Sequence, residues 1–208
     1  MLTITQTWTF LLTAVVLTAT PGPDNLMVLS MGMSKGRRAG MAFGLGCALG
    51  CVSHTVLAVI GVSALVAASP WAFTLLKWAG GGYLVWLGIQ ALRYAGTSSV
   101  RTAVEEGGSV SQAFAKGLLA NAINPKVVLF FLSFLPQFVD ASRGDAPWQL
   151  GALGLLFAAQ AAVMFGVLGY FSGTVGTWLT RKPAASRWLD RVAGAVFVAL
   201  GLKMIASR

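Results

Sequence analysis

"ATPGPDNLMVL", residues 19–29, lies inside the first long apolar run of the chain and contradicts it. Pro21 and Pro23 bracket Gly22, and the carboxylate of Asp24 follows at once. Proline removes a backbone donor and clashes with the preceding turn, and glycine adds slack. A charge in hydrocarbon adds a cost of its own. A hydrophobic helix that carries its two worst helix formers and its only acid at one point is expected to be broken there.

The composition of the whole chain names the solvent. Of 208 residues, 56% are hydrophobic and 10% charged, and the mean hydropathy is +0.75. Soluble domains carry roughly a quarter charged residues. Six apolar blocks, about 8–34, 39–68, 70–95, 113–139, 147–178 and 187–206, each reach the ~20 residues that a spanning helix needs. The expectation is an all-α integral membrane protein of six transmembrane helices. The first block has no Lys or Arg before it and is too long for the apolar core of a cleaved signal, so it counts as a span. The polar stretch 96–112, "GTSSVRTAVEEGGSVSQ", separates residues 1–95 from residues 113–208.

The formal charge of +9 invites a nucleic-acid reading, but its distribution argues for topology. Lys35, Arg37, Arg38, Arg93, Arg101, Lys116, Arg181, Lys182, Arg187 and Arg191, ten in all, flank alternate connections. The other side has Arg143, Lys203 and Arg208. That is the positive-inside pattern, which places residues 34–38, 96–112 and 180–186 in the cytoplasm and both termini outside. The basic loops then meet anionic membrane lipid, and no nucleic acid is implied.

Block three repeats in block six. Leu76, Gly81, Val85, Leu87 and Gly88 match Leu189, Gly194, Val198, Leu200 and Gly201 at one constant offset, 113 residues. "GPDNLMVLSM" also faces "NPKVVLFFLSF" of block four, Pro23 against Pro125. Three spans per half turn the halves over, giving a 3+3 inverted-topology repeat with broken helices one and four. Such broken helices in corresponding positions are the best sequence pointer to a transport site.

Thr9 to Ser34 would span about 39 Å if straight, against a hydrocarbon core of ~30 Å, so an unwound segment near mid-depth fits. Pro23 then opens the second half-helix, where its missing N–H costs nothing. In block four Asn124 suits an N-cap, Pro125 the first turn, and Lys126 follows. Both half-helices present positive dipole ends to the membrane centre. An isolated central Asp or Lys costs roughly 2.5–3.5 kcal/mol, so Asp24 and Lys126 each need a partner. Either they pair with each other and fix helix packing, or they share a zwitterion. In the second case Asp24 takes an ammonium, while Lys126 and the half-helix N–H groups take a carboxylate. The candidate substrate-binding set is Pro21, Gly22, Pro23, Asp24 and Asn25 with Asn121, Asn124, Pro125 and Lys126, joined by Gln160, a polar residue within block five.

"PGPDNLMVLSMGMSKGRRAGMAFGLGCALG", "WAGGGYLVWLGIQAL" and "GLLANAINPKVVLFFLSFLPQF" together resemble the LysE/RhtB family of bacterial amino-acid exporters, over nearly the whole chain. The resemblance implies an inner-membrane efflux carrier for amino acids or close derivatives, driven by the proton gradient, with no cofactor. The motifs name the family and not the amino acid, and a homo-oligomer stays open.

Other chemistries find too few residues. A metal-ion exporter needs several ligands around one cavity. One central acid, the lone His54, and Cys47 and Cys51 on one helix do not supply them. The cysteines read as buried structural residues, and His54 reads as a packed or interfacial residue in preference to a proton relay beside Ser53. Ser53 and His54 are adjacent rather than facing, which argues against a hydrolase. No phosphate-binding glycine–lysine loop is present, so ATP is not the driver. A passive channel is the alternative to a carrier. Gly36, Gly40 and Gly44, Gly46 and Gly50, and the glycines from Gly166 to Gly176 are read as close-packing faces, the last also as a bend. Trp8, Trp71, Trp148 and Trp188 stand at block starts, where aromatic belts sit.

Overall fold

The first apolar block is two helices. In the computed structural model, which describes residues 2–20, 22–62, 69–96 and 108–206, they are α1 (Ile4–Ala19) and α2 (Pro23–Lys35). Thr3 opens α1 with a capping box to Gln6, and the chain turns extended at Thr20 and Gly22 before Pro23 starts α2. Pro21 lies outside the described residues. Gly36, at φ 86°, turns α2 straight into α3 (Arg37–Leu57). It is therefore a turn glycine and not part of a packing face: no atom lies within 4 Å of where its Cβ would be.

α3 runs on through a π turn, Ala58–Val62, and the end of block two, 63–68, lies outside the described residues. α4 (Pro70–Arg93) starts at Ser69, whose hydroxyl accepts from the Ala72 N–H. Of the polar connection, 97–107 lies outside the described residues. Block four breaks as expected. α5 (Val110–Ala122) ends before Asn124, and α6 (Pro125–Leu129) continues through a π turn, Phe130–Phe134, and a 3-10 turn, Leu135–Phe138. The two arms meet at 50°.

Block five is two helices, α7 (Ala146–Tyr170) and α8 (Ser172–Arg181), and the junction falls within the Gly166–Gly176 stretch, whose glycines read as a packing face or a bend. The buried Ser172 hydroxyl donates to the Gly169 carbonyl at 2.7 Å and so competes with the helical ladder at the junction. α9 (Pro183–Ala206) ends the described chain. The described residues thus form nine α-helices.

α3 is the centre, packed on α2, α5 and α7. Glycine lets the backbones meet. A Cβ on Gly46 would stand 2.1 Å from the Phe114 carbonyl oxygen, and one on Gly117 2.0 Å from that of Phe43. Gly40 lies against Gly32 and Gly169, and Gly44 against Phe165. Phe130, Phe131 and Phe157 fill the space behind with ring centroids 5.1–5.8 Å apart.

α4 and α9 pair with each other, antiparallel. A Cβ on Gly81 would lie 3.0 Å from the Gly201 carbonyl oxygen, and one on Gly201 2.6 Å from that of Gly81. Gly88 and Gly194 stand in the same relation at 2.6 and 2.7 Å. Val85 meets Gly201 as Val198 meets Gly88. These are the residues that the 113-residue offset equates.

Among the described residues, Arg37–Gly61 and Ala146–Tyr170 are each long and apolar enough to cross a membrane, and the bent pair Val110–Ala122 with Pro125–Phe138 makes a third span if counted as one. Trp8, Trp71, Trp148 and Trp188 are all exposed.

Candidate functional site

The two breaks are tied together through Asp24. This acid sits in the first turn of α2, 7% exposed, and accepts from the Asn121 side-chain amide at 2.8 Å and the Asn124 side-chain amide at 2.9 Å. Asn124 is also the N-cap of α6, its Oδ1 accepting from the Lys126 N–H at 3.1 Å. One residue thus caps the second half-helix and holds the acid of the first. Each carboxylate oxygen takes one of these bonds and retains a lone pair.

Lys126 closes the other end. Its ammonium donates to the carbonyls of Leu17 at 3.3 Å and Thr20 at 3.5 Å, the last carbonyls of α1, and lies 4.8 Å from the Phe197 ring centroid. A cation at a helix C-terminus is where the dipole favours it. Asn25 helps, donating to the carbonyls of Thr18 at 2.9 Å and Thr20 at 3.2 Å. Gly22 lies close to this ammonium: a Cβ there would come within 3.1 Å of Lys126 Nζ. Among the described residues, Asp24 and Lys126 make no ion pair within 4.0 Å. They do not pair with each other.

Both charges nonetheless face one cavity of about 30 Å3. Gly22, Pro23, Asp24 and Asn25 line it from the first break, and Asn121, Asn124 and Lys126 from the second. That volume suits about one water and is far too small for an amino acid. Pro125 opens α6 but is not on the cavity wall. Gln160 lies beside it, donating to the Thr18 hydroxyl at 2.8 Å, with its own Oε1 buried and unpartnered. Two larger cavities, about 320 Å3 and 450 Å3, lie on the α7–α8 side. Asn25 borders all three, so its side chain stands between the polar centre and the larger spaces.

Sequence reasoning passed over two neighbours, Thr18 and Phe197, and read a third, His54, as packed. The Thr18 hydroxyl anchors Gln160, Phe197 backs the ammonium, and His54 is 1% exposed with Nε2 2.9 Å from the Asn121 carbonyl. Cys47 and Cys51 are free and buried, and the Cys51 thiol sits 3.6 Å from Asn121 Oδ1. The signal for His54 was available: residues 47, 51 and 54 fall on one helical face. No group of three or more His, Cys, Asp or Glu among the described residues could hold a metal ion.

The family described as LysE type translocator matches residues 15–208. An uncharacterized membrane protein of Vibrio cholerae is 36% identical, covering 96% of each chain. The threonine efflux protein of Escherichia coli is 32% identical over 93% of this chain and 94% of its own. The homoserine/homoserine lactone efflux protein of Salmonella typhimurium is 28% identical over 96% and 95%. No solved structure matches.

Proposed function

The chain belongs to the LysE-type translocator family, and from that premise we propose that it exports amino acids or close derivatives across the bacterial cytoplasmic membrane, as a secondary carrier driven by protons. One observation carries the reading. A carboxylate and an ammonium that do not pair with each other face a common cavity where two helices break. Paired charges would be scaffold. Separately held charges, each with bonding capacity left over, suit the two ends of a zwitterion.

Asp24 takes the substrate ammonium on its two remaining lone pairs, and Lys126 gives its third N–H to the substrate carboxylate. Asn121 and Asn124 hold the acid in place, and the unpartnered Gln160 Oε1 offers a further acceptor at the rim. Gly22, Pro23 and Pro125 keep the backbone open there.

The halves, residues 1–95 and 113–208 joined by 96–112, form the 3+3 inverted repeat of six spans. Reciprocal contacts between equivalent residues of α4 and α9, in antiparallel helices, support a two-fold axis in the membrane plane. Rocking one half against the other enlarges the small central cavity to admit the amino acid from one side and then the other.

The test is efflux from cells that overproduce the protein, loaded in turn with each amino acid, threonine and homoserine included. At least one leaves faster than from control cells, against its gradient, and a protonophore stops it. Faster efflux that only runs downhill and ignores the protonophore means a channel, and unchanged efflux of every amino acid contradicts the reading.

Both termini face outside. In a cysteine-free background, the Lys35→Cys variant is expected to resist an impermeant thiol reagent in intact cells and to label after lysis. Labelling in intact cells would reverse the topology.

A further inference from the structure

Among the described residues, two buried side-chain atoms have no hydrogen-bond partner: Gln160 Oε1 and Nδ1 of His54. The second is unusual chemically. His54 Nε2 faces the Asn121 carbonyl at 2.9 Å, and a carbonyl only accepts, so Nε2 carries the ring proton. Nδ1 is then a basic lone pair, 1% exposed side chain and all, with nothing to bond. A buried acceptor left unmatched is a cost to the fold, and a phenylalanine would have packed against Phe131 without it.

The imidazole is also wired to the proposed site. Its Nε2–H donates to the Asn121 main chain, and the Asn121 side-chain amide donates to Asp24 at 2.8 Å. Cys51, one turn earlier on the same face of α3, lines the central cavity. The titratable groups on the elements around His54 can be named. α2 carries the Asp24 carboxylate, α6 the Lys126 ammonium, and α3 itself the thiols of Cys47 and Cys51. α5 brings Lys116, more than a turn before Asn121, and α7 carries only Tyr170, at its far end. The π turn after α6 brings the uncharged ring of Phe131.

We propose that His54 is the group that carries the coupling proton, exchanged for the amino acid at Asp24 through Asn121, the partner that His54 and Asp24 share. This rests on the export reading above. With the site open outward and empty, a hydrated proton gives up its O–H bond and forms an N–H bond with the Nδ1 lone pair. The imidazolium then acts on Asp24 through Asn121, whose main chain bonds the ring and whose side chain bonds the acid, and the acid compensates whichever cation is present. With the site open inward, Nδ1 returns the proton to water and an amino acid takes the place beside Asp24. Two cations compete for one carboxylate, so proton entry and amino-acid exit exclude each other on the carrier. That mutual exclusion is coupling.

The test uses the purified full chain in proteoliposomes with radiolabelled L-threonine and L-homoserine. Exchange of labelled for unlabelled amino acid needs no proton, whereas accumulation driven by an imposed pH gradient does. His54→Gln retains an amide donor toward the Asn121 carbonyl and removes the titratable nitrogen. It is expected to keep exchange and lose gradient-driven accumulation, and its apparent affinity is expected to stop depending on pH. In the wild type that affinity weakens as pH falls, a measurement that needs no variant.

Accumulation surviving in His54→Gln, loss of exchange together with accumulation, or a wild-type affinity flat with pH would each overturn the assignment. Absence of exchange in the wild type would instead strike the export reading itself.

Discussion

Asp24→Asn is expected to bring efflux to background while the protein still reaches the membrane in normal amount. The variant keeps the shape of the side chain and removes the charge that would hold a substrate ammonium. A hydrogen bond to a charged group is worth roughly 1.5–3 kcal/mol, about ten- to a hundred-fold in loaded carrier. The fold tolerates the change because Asn121 can turn its amide over. Its oxygen would then accept from the new amide, at the expense of a weak 3.6 Å contact with the Cys51 thiol. Asn124 keeps its orientation, since its Oδ1 caps α6. Lys126→Met is the matching change. It retains most of the unbranched stem and withdraws the cation from the Phe197 ring and the Leu17 carbonyl, while the Thr20 carbonyl is still served by Asn25 at 3.2 Å. Efflux assays and immunoblots of membranes from the same cultures check both.

The second large effect is on folding. Gly117→Leu drives a side chain into the Phe43 carbonyl, 2.0 Å from where its Cβ must stand, at the tightest crossing of α3 and α5. Backbone rather than a flexible side chain is in the way, so the helices have to part. Overpacking of this kind costs roughly 3 kcal/mol, a large fraction of the 5–15 kcal/mol that holds a typical protein folded. Membrane abundance is expected to fall several-fold and efflux to fall in proportion, leaving transport per molecule unchanged. Gly166→Leu, with no atom within 4 Å of its Cβ position, is the control expected to insert normally.

What could be read from the sequence is what depends on neighbours along the chain. Proline, glycine and an asparagine cap punctuate the backbone locally, so both breaks and the start of α6 were legible residue by residue. At the α7–α8 junction the glycines from Gly166 to Gly176 left packing face and bend as alternatives, and the bond from Ser172 to one carbonyl is what the apolar pattern hides. Gly36 shows the limit of spacing arguments. It sits four residues before Gly40, and its φ of 86°, not a neighbouring helix, is what asks for glycine. At the site, the sequence marks Asp24 and Lys126 as needing partners. That the partners are Asn121 and Asn124 for one and the end of α1 for the other is a tertiary fact. His54 reads as a packed residue until the contacts show that its second nitrogen has nothing to pack with.

The central claim is that Asp24 and Lys126 hold the two ends of the transported amino acid instead of holding each other. The double variant Asp24→Asn with Lys126→Met measures this directly, by efflux and membrane abundance in the same cells. If the two charges were only scaffold, each single change would strand a buried charge and lower abundance, and the neutral pair would restore both folding and transport. The expected result is a double variant that inserts like the wild type and exports nothing. Recovery of efflux in the double variant would contradict the account.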